Sequence, residues 1–159
     1  MDIEILTAEA LSKRGQKRIR RSIFEAFLEA CKTHGPKTKI LTDGDERQLT
    51  YGDLRQAAFA ISTPLKDITE PNENIGILLP TGAGAVIALL AVHAIGRTPA
   101  MLNFTAGVKN LKAAAHTAPL KTVITAHKFV EIGGLASLIE ELSDTVNFVY
   151  LEDMKEALG

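Results

Sequence analysis

From residue 75 to residue 151 the chain alternates between short apolar runs and helix-length segments, and this alternation constrains the fold more than any other feature. Ile75 to Leu79, Thr98 to Leu102, Lys121 to Thr125 and Val146 to Leu151 read as strands. Ala83 to Ile95, Val108 to Thr117 and Leu135 to Leu142 read as the helices between them, the first closed by Gly96. Continuously apolar strands need cover on both faces, and right-handed helical crossovers between parallel neighbours supply it. The expected fold is α/β: an open, mainly parallel, doubly wound sheet with helices on both faces and an edge β-hairpin.

The hairpin comes from the preceding segment. Lys39 to Thr42 reads as a strand, Asp43-Gly44 as a tight turn and Arg47 to Leu49 as the returning strand. Before it, Ser22 and Glu25 stand at capping-box spacing ahead of Ile23, Phe24, Phe27, Leu28 and Cys31, and Gly35-Pro36 stops that helix. After it, Thr50 and Asp53 repeat the box before a helix that turns Leu54, Ala57, Ala58 and Ile61 inward. Pro64 is expected to end or kink that helix, since proline has no N–H and clashes with the preceding turn. Pro71-Asn72 makes the turn into the alternating region.

Residues 1–19 carry no core-facing pattern and read as a basic tether. The cations Lys13, Arg14, Lys17, Arg18, Arg20 and Arg21 suit either a solvated linker or a dock for an acidic carrier protein or an anionic membrane surface. Residues 20–159 then form one domain, and 159 residues are enough for a single core without staples. A net charge of −1 gives no reason to expect nucleic acid as a partner. The lone cysteine, Cys31, has no disulfide partner and falls on an apolar helix side, which fits a reducing cytoplasmic setting. The start of the chain lacks a signal pattern. Its longest apolar run, Ala85 to Ile95 broken by His93, is well short of the roughly 20 residues a membrane span requires.

Few local patterns carry chemistry. Pro80-Thr81-Gly82-Ala83-Gly84 lies between a strand and a helix, where glycines and a helix N-terminus favour a phosphate. Ile87 occupies the place of the third glycine of the dinucleotide fingerprint, and Leu102 and Asn103 stand where its ribose-binding acid would be. The bland reading, a tight turn into a buried helix, is therefore preferred. His34 sits at a helix end, His93 inside an apolar helix, and neither these nor His116 and His127 fall in a metal-binding or nucleophile-activating pattern. The carboxylates look scattered. Asn103, Phe104 and Thr105 follow the strand 98–102 at its carboxyl end, where open α/β sheets gather ligands, and are the first candidates for a substrate or interface surface. Equally, Asn103 or Thr105 suits a cap on the next helix. No catalytic or metal-binding residue is assigned.

Several segments resemble a known superfamily. Leu49-Thr50-Tyr51-Gly52-Asp53-Leu54, and Ile75-Gly76-Ile77-Leu78-Leu79-Pro80 with its small-residue turn and apolar helix, resemble the opening of the large domain of AMP-forming acyl ligases. The likeness runs from about Arg20 to Asp153. Arg20-Arg21-Ser22-Ile23-Phe24-Glu25-Ala26, Pro99-Ala100-Met101-Leu102-Asn103-Phe104-Thr105-Ala106-Gly107-Val108-Lys109 and Phe148-Val149-Tyr150-Leu151-Glu152-Asp153 are similar to a narrower group. That group is the ligase half of the bacterial bifunctional acyl-acyl carrier protein synthetases/2-acylglycerophosphoethanolamine acyltransferases.

The resemblance implies a parent enzyme that uses ATP and magnesium to join a fatty acid to acyl carrier protein through an acyl-adenylate. It further implies phospholipid repair at the inner membrane, while this chain itself is expected to be cytoplasmic. The family's acyltransferase His-Asp pair, its Ser/Thr/Gly-rich phosphate loop and its later catalytic lysine have no counterpart in these residues. The chain is accordingly expected to be a fragment, catalytically silent alone and without tight ATP or magnesium binding. The remainder of the ligase domain is its expected partner, and a sheet face left open by the missing chain is expected to promote self-association. The other reading is a stand-alone, non-catalytic module that keeps the fold and binds carrier protein or nucleotide.

Overall fold

A computed structural model describes residues 21–156. The expected tether, residues 1–19, and most of the basic stretch lie outside the described residues. Arg21 is described, and it pairs with Glu29 on the first helix.

That helix, α1 (Ile23–His34), opens with a reciprocal capping box in which Ser22 accepts from the Glu25 amide and Glu25 from the Ser22 amide. Capping satisfies backbone donors that have no intrahelical partner. Phe24 and Cys31 face the core, Cys31 at 2% exposure, as its apolar position suggests. Strands β1 (Lys39–Thr42) and β2 (Gln48–Thr50) pair antiparallel. The next helix, α2 (Tyr51–Asp67), starts with the expected Thr50–Asp53 box.

Pro64 does not end α2. The last turn persists because Leu65, just past the proline, is fully buried, which rewards helical continuation by about 1.5–3 kcal/mol. The Thr69 hydroxyl also donates to the Leu65 carbonyl, and Arg97 binds the Thr69 carbonyl from a neighbouring segment.

The main sheet holds β3 (Asn74–Ile77), β4 (Thr98–Met101), β5 (Thr122–Thr125) and β6 (Asn147–Tyr150), all parallel, in the order β4-β3-β5-β6. The helices between them are α3 (Ala83–Ala94), α4 (Val108–Thr117), α5 (His127–Ile132) and α6 (Ala136–Leu142), and α7 (Leu151–Glu156) follows β6. Ile75, Ile77, Leu79 and Ile124 join one core with α1, α2, α3 and α7. Leu78 and Val123 join the opposite core with α4 and α6. The two-residue period of a strand thus feeds two cores, and the sheet is doubly wound as expected.

Four details differ from the sequence reading. The hairpin is a separate two-stranded sheet and adds no strand to the edge of the main one, because its turn docks on the end of α3 instead. Leu151 is the first residue of α7 rather than the last of a strand, and α5 was not anticipated at all. Both faces of β3 and β5 are covered by the chain's own helices, so no central sheet face is open. What is open lies at the margins, where Met101 on edge strand β4 is 59% exposed.

Candidate functional site

Strand order fixes where a ligand site belongs. From β3 the chain crosses outward to β4, then returns past β3 to β5 and continues to β6 on the other side. The reversal lies between the carboxyl ends of β3 and β5, and open α/β sheets bind ligands in the crevice at such a point. A cavity of about 510 Å3 occupies that place.

Three connections wall it. The β3–α3 turn contributes Leu79 to Gly84, and the β5–α5 segment contributes Ala126, Lys128, Phe129, Ile132 and Gly133. Leu151 and Glu152 close it from the start of α7, and Asp43 reaches in from the hairpin turn. The walls are mostly aliphatic or aromatic, with Thr81, Lys128, Asp43 and Glu152 as the polar groups.

Asp43 decides what the glycine turn can do. Its Oδ1 accepts from the Ala83 amide at 3.1 Å, so a carboxylate from forty residues upstream sits on the N-terminus of α3. A Cβ on Gly82 would lie 2.8 Å from that same oxygen, so Gly82 is glycine to admit the carboxylate. A helix N-terminus attracts an anion. Here the anion belongs to the protein, and the bland reading of Pro80 to Gly84 holds. Among the described residues no three His, Cys, Asp or Glu side chains group closely enough to hold a metal ion.

A second carboxylate repeats the arrangement at α5. Glu152 accepts from the amides of His127 and Lys128, at 3.0 and 3.3 Å. Burial pushes its carboxyl upward, but backbone donors at Glu152, His127 and Lys128, with the charge of His127, together hold it below the ordinary carboxylate range. Beside it, His127 Nε2 lies 2.8 Å from Asp153 Oδ1, and the His127 ring stacks on Tyr150 at 3.8 Å. The scattered-looking carboxylates therefore converge on one histidine. Strand register explains why: Thr125 pairs with Tyr150, so residues two further along each strand end meet. Sequence alone did not show which strands were neighbours.

The other histidines stand apart. His34 stacks on Tyr51, His116 is exposed on α4, and His93 is half-buried in α3, where burial pushes its pKa down. Asn103, Phe104 and Thr105 do follow β4 at its carboxyl end, but they do not line the cavity. Asn103 caps a short 3-10 turn over Phe104–Ala106, accepting from the Thr105 amide and hydroxyl, while Gly107 begins α4. Phe104 meets cavity residue Phe129 edge-on at 5.1 Å.

Chemically, this mostly apolar site can enclose an apolar group. Among the described residues, Lys128 is the single cation on its walls, beside two carboxylates that accept from helix N-terminal amides. Stabilising charge on a reacting phosphate requires converging donors, cations or metal.

The same fold occurs in solved adenylate-forming enzymes. The o-succinylbenzoate CoA synthetase of Bacillus subtilis, in complex with its acyl-adenylate intermediate, superposes with a TM-score of 0.71 at 15% identity. The match covers 86% of this chain and 33% of that one. The anthranilate CoA ligase AuaEII, in complex with anthranoyl-AMP, gives 0.72 at 15% identity, with 86% and 27% covered. The N-terminal subdomain of Klebsiella oxytoca NpsA gives 0.67 at 15% identity, with 86% and 32% covered. This chain thus spans about a third of those structures. The family model described as AMP-binding enzyme matches residues 27–158, and the chain belongs to that family.

Proposed function

We propose that this chain is the opening α/β segment of an ATP-dependent, AMP-forming ligase that activates a fatty acid for transfer to acyl carrier protein, and that it is catalytically silent alone. Family membership over residues 27–158 carries the first part of the reading. The fatty-acid and carrier-protein part rests on the resemblance of the segments around Arg20 to Ala26, Pro99 to Lys109 and Phe148 to Asp153. Silence is supported by Asp43, whose carboxylate occupies the helix N-terminus at the glycine turn after β3. ATP and magnesium would be held by the remainder of the ligase domain. Asn103, Phe104 and Thr105, at the open margin beside β4, would face that remainder or its substrate. In the parent, the product acyl group would serve lysophospholipid reacylation at the inner membrane.

The second reading is a non-catalytic module that binds carrier protein or nucleotide, and the preformed cavity at the strand-order reversal favours it. Calorimetric titration of the 159-residue chain with ATP–magnesium, and separately with acyl carrier protein, distinguishes the two. The ligase-segment reading expects no saturable heat from ATP. Saturable binding of either ligand with micromolar or tighter affinity would support the module instead.

A further inference from the structure

We propose that α5 is a hinged flap on the cavity, latched shut by the carboxylates of Glu152 and Asp153. The two sides of the latch are held very differently. Its anchor is firm: Leu151 and Met154 of α7 are 7% and 5% exposed, in the core shared with α2 and α3. The flap is not. No α5 residue is fully buried, Ala126 at its start supplies no capping side chain and Ile132 is 76% exposed, although Phe129 and Val130 pack half-buried against the first and second cores.

A six-residue helix without its own cap is unstable by itself. Its first two amides are satisfied from outside, by Glu152. The His127–Asp153 contact and the His127–Tyr150 stack reinforce the same end. At the other end the chain leaves α5 through Gly133 and Gly134, the latter at φ +60°, a pair able to absorb a change of direction. Phe129, between latch and hinge, is both a cavity wall and the edge partner of Phe104. Segments with few buried contacts open locally at low cost while the surrounding core stays closed. Releasing the latch thus swings Phe129 and Ile132 away and widens the cavity without disturbing the sheet.

Amide hydrogen exchange on the full chain and on Glu152→Ala tests this. The amides of Val130, Gly133 and Leu135 bond within the flap and its exit, not to Glu152. In the variant their exchange should rise together by about ten-fold or more, while Val123 and Ile124 in β5 stay unchanged. Glu152→Gln, which keeps an acceptor oxygen, should recover most of the protection. Binding of Nile red, a neutral apolar dye, should rise several-fold in Glu152→Ala. If only His127 and Lys128 exchange faster, Glu152 is a simple cap and the flap is refuted. Unchanged dye binding despite a released α5 refutes the widening of the cavity. Should Glu152→Ala lose protection in β5 as well, Asp153→Ala replaces it, and unchanged flap exchange in that variant overturns the latch.

Discussion

The Asp43 carboxylate lies 3.1 Å from the amide of Ala83 and sits in the space a side chain on Gly82 would fill. This contact ties the hairpin turn to the first turn of α3 and places a carboxylate of the chain itself at that helix N-terminus. A Gly82→Ala substitution should cost about 1–3 kcal/mol, because the carboxylate must yield to the new methyl group. Asp43→Ala alone should cost about 1 kcal/mol as a lost cap. The double variant should fall short of the sum by about 0.5 kcal/mol or more, since each change removes what the other depends on. Denaturant titration of the four proteins measures the coupling.

Gly76 is the tighter case. A Cβ there would meet Val123 at 2.8 Å, Leu102 at 3.0 Å and Leu120 at 3.2 Å, all in the core under α4 and α6. Gly76→Ala should destabilise the chain by about 1–3 kcal/mol or more, and the loss should appear in both chemical and thermal unfolding.

The capping box of α2 gives a pH-dependent prediction. Asp53 is held below its ordinary value of 3.8, first by the Thr50 amide and next by the Thr50 hydroxyl. Its folded pKa is depressed, so its contribution is complete above the ordinary value and fades as pH falls through the folded one. Glu152 obeys the same sign, from its ordinary 4.5 downward. Stability should therefore decline more steeply on acidification below pH 3.8 in the unaltered chain than in Asp53→Asn, Glu152 acting alike in both. Thr50→Ala should cost about 1 kcal/mol at neutral pH.

How much of this was legible in the residues depends on the range of the interaction. Capping boxes at Ser22–Glu25 and Thr50–Asp53 are written within four positions, and the structure has both. Strand–helix alternation from Ile75 onward likewise follows from local periodicity. The helix through Pro64 did not, because burial of Leu65 is a tertiary gain that overrides a local penalty. The tight turn at Asp43-Gly44 did: the Glu46 amide closes it on the Asp43 carbonyl, with Glu46 itself left-handed at φ 62°. The site was hardest to read. His127 with Asp153, and Asp43 with Ala83, are joined across 26 and 40 positions, and only the β5–β6 pairing and the docked hairpin bring them together.

The central claim, that this chain opens an acyl ligase and does no adenylation itself, is tested most directly by ATP–pyrophosphate exchange with fatty acids. The assay compares the 159-residue chain with the protein its source gene encodes when read through whatever follows the codon for Gly159. Exchange is expected from the longer protein with fatty acid and ATP–magnesium, and none above background from the 159-residue chain. Exchange by the 159-residue chain alone, or a longer protein inert toward every fatty acid tried, would contradict it.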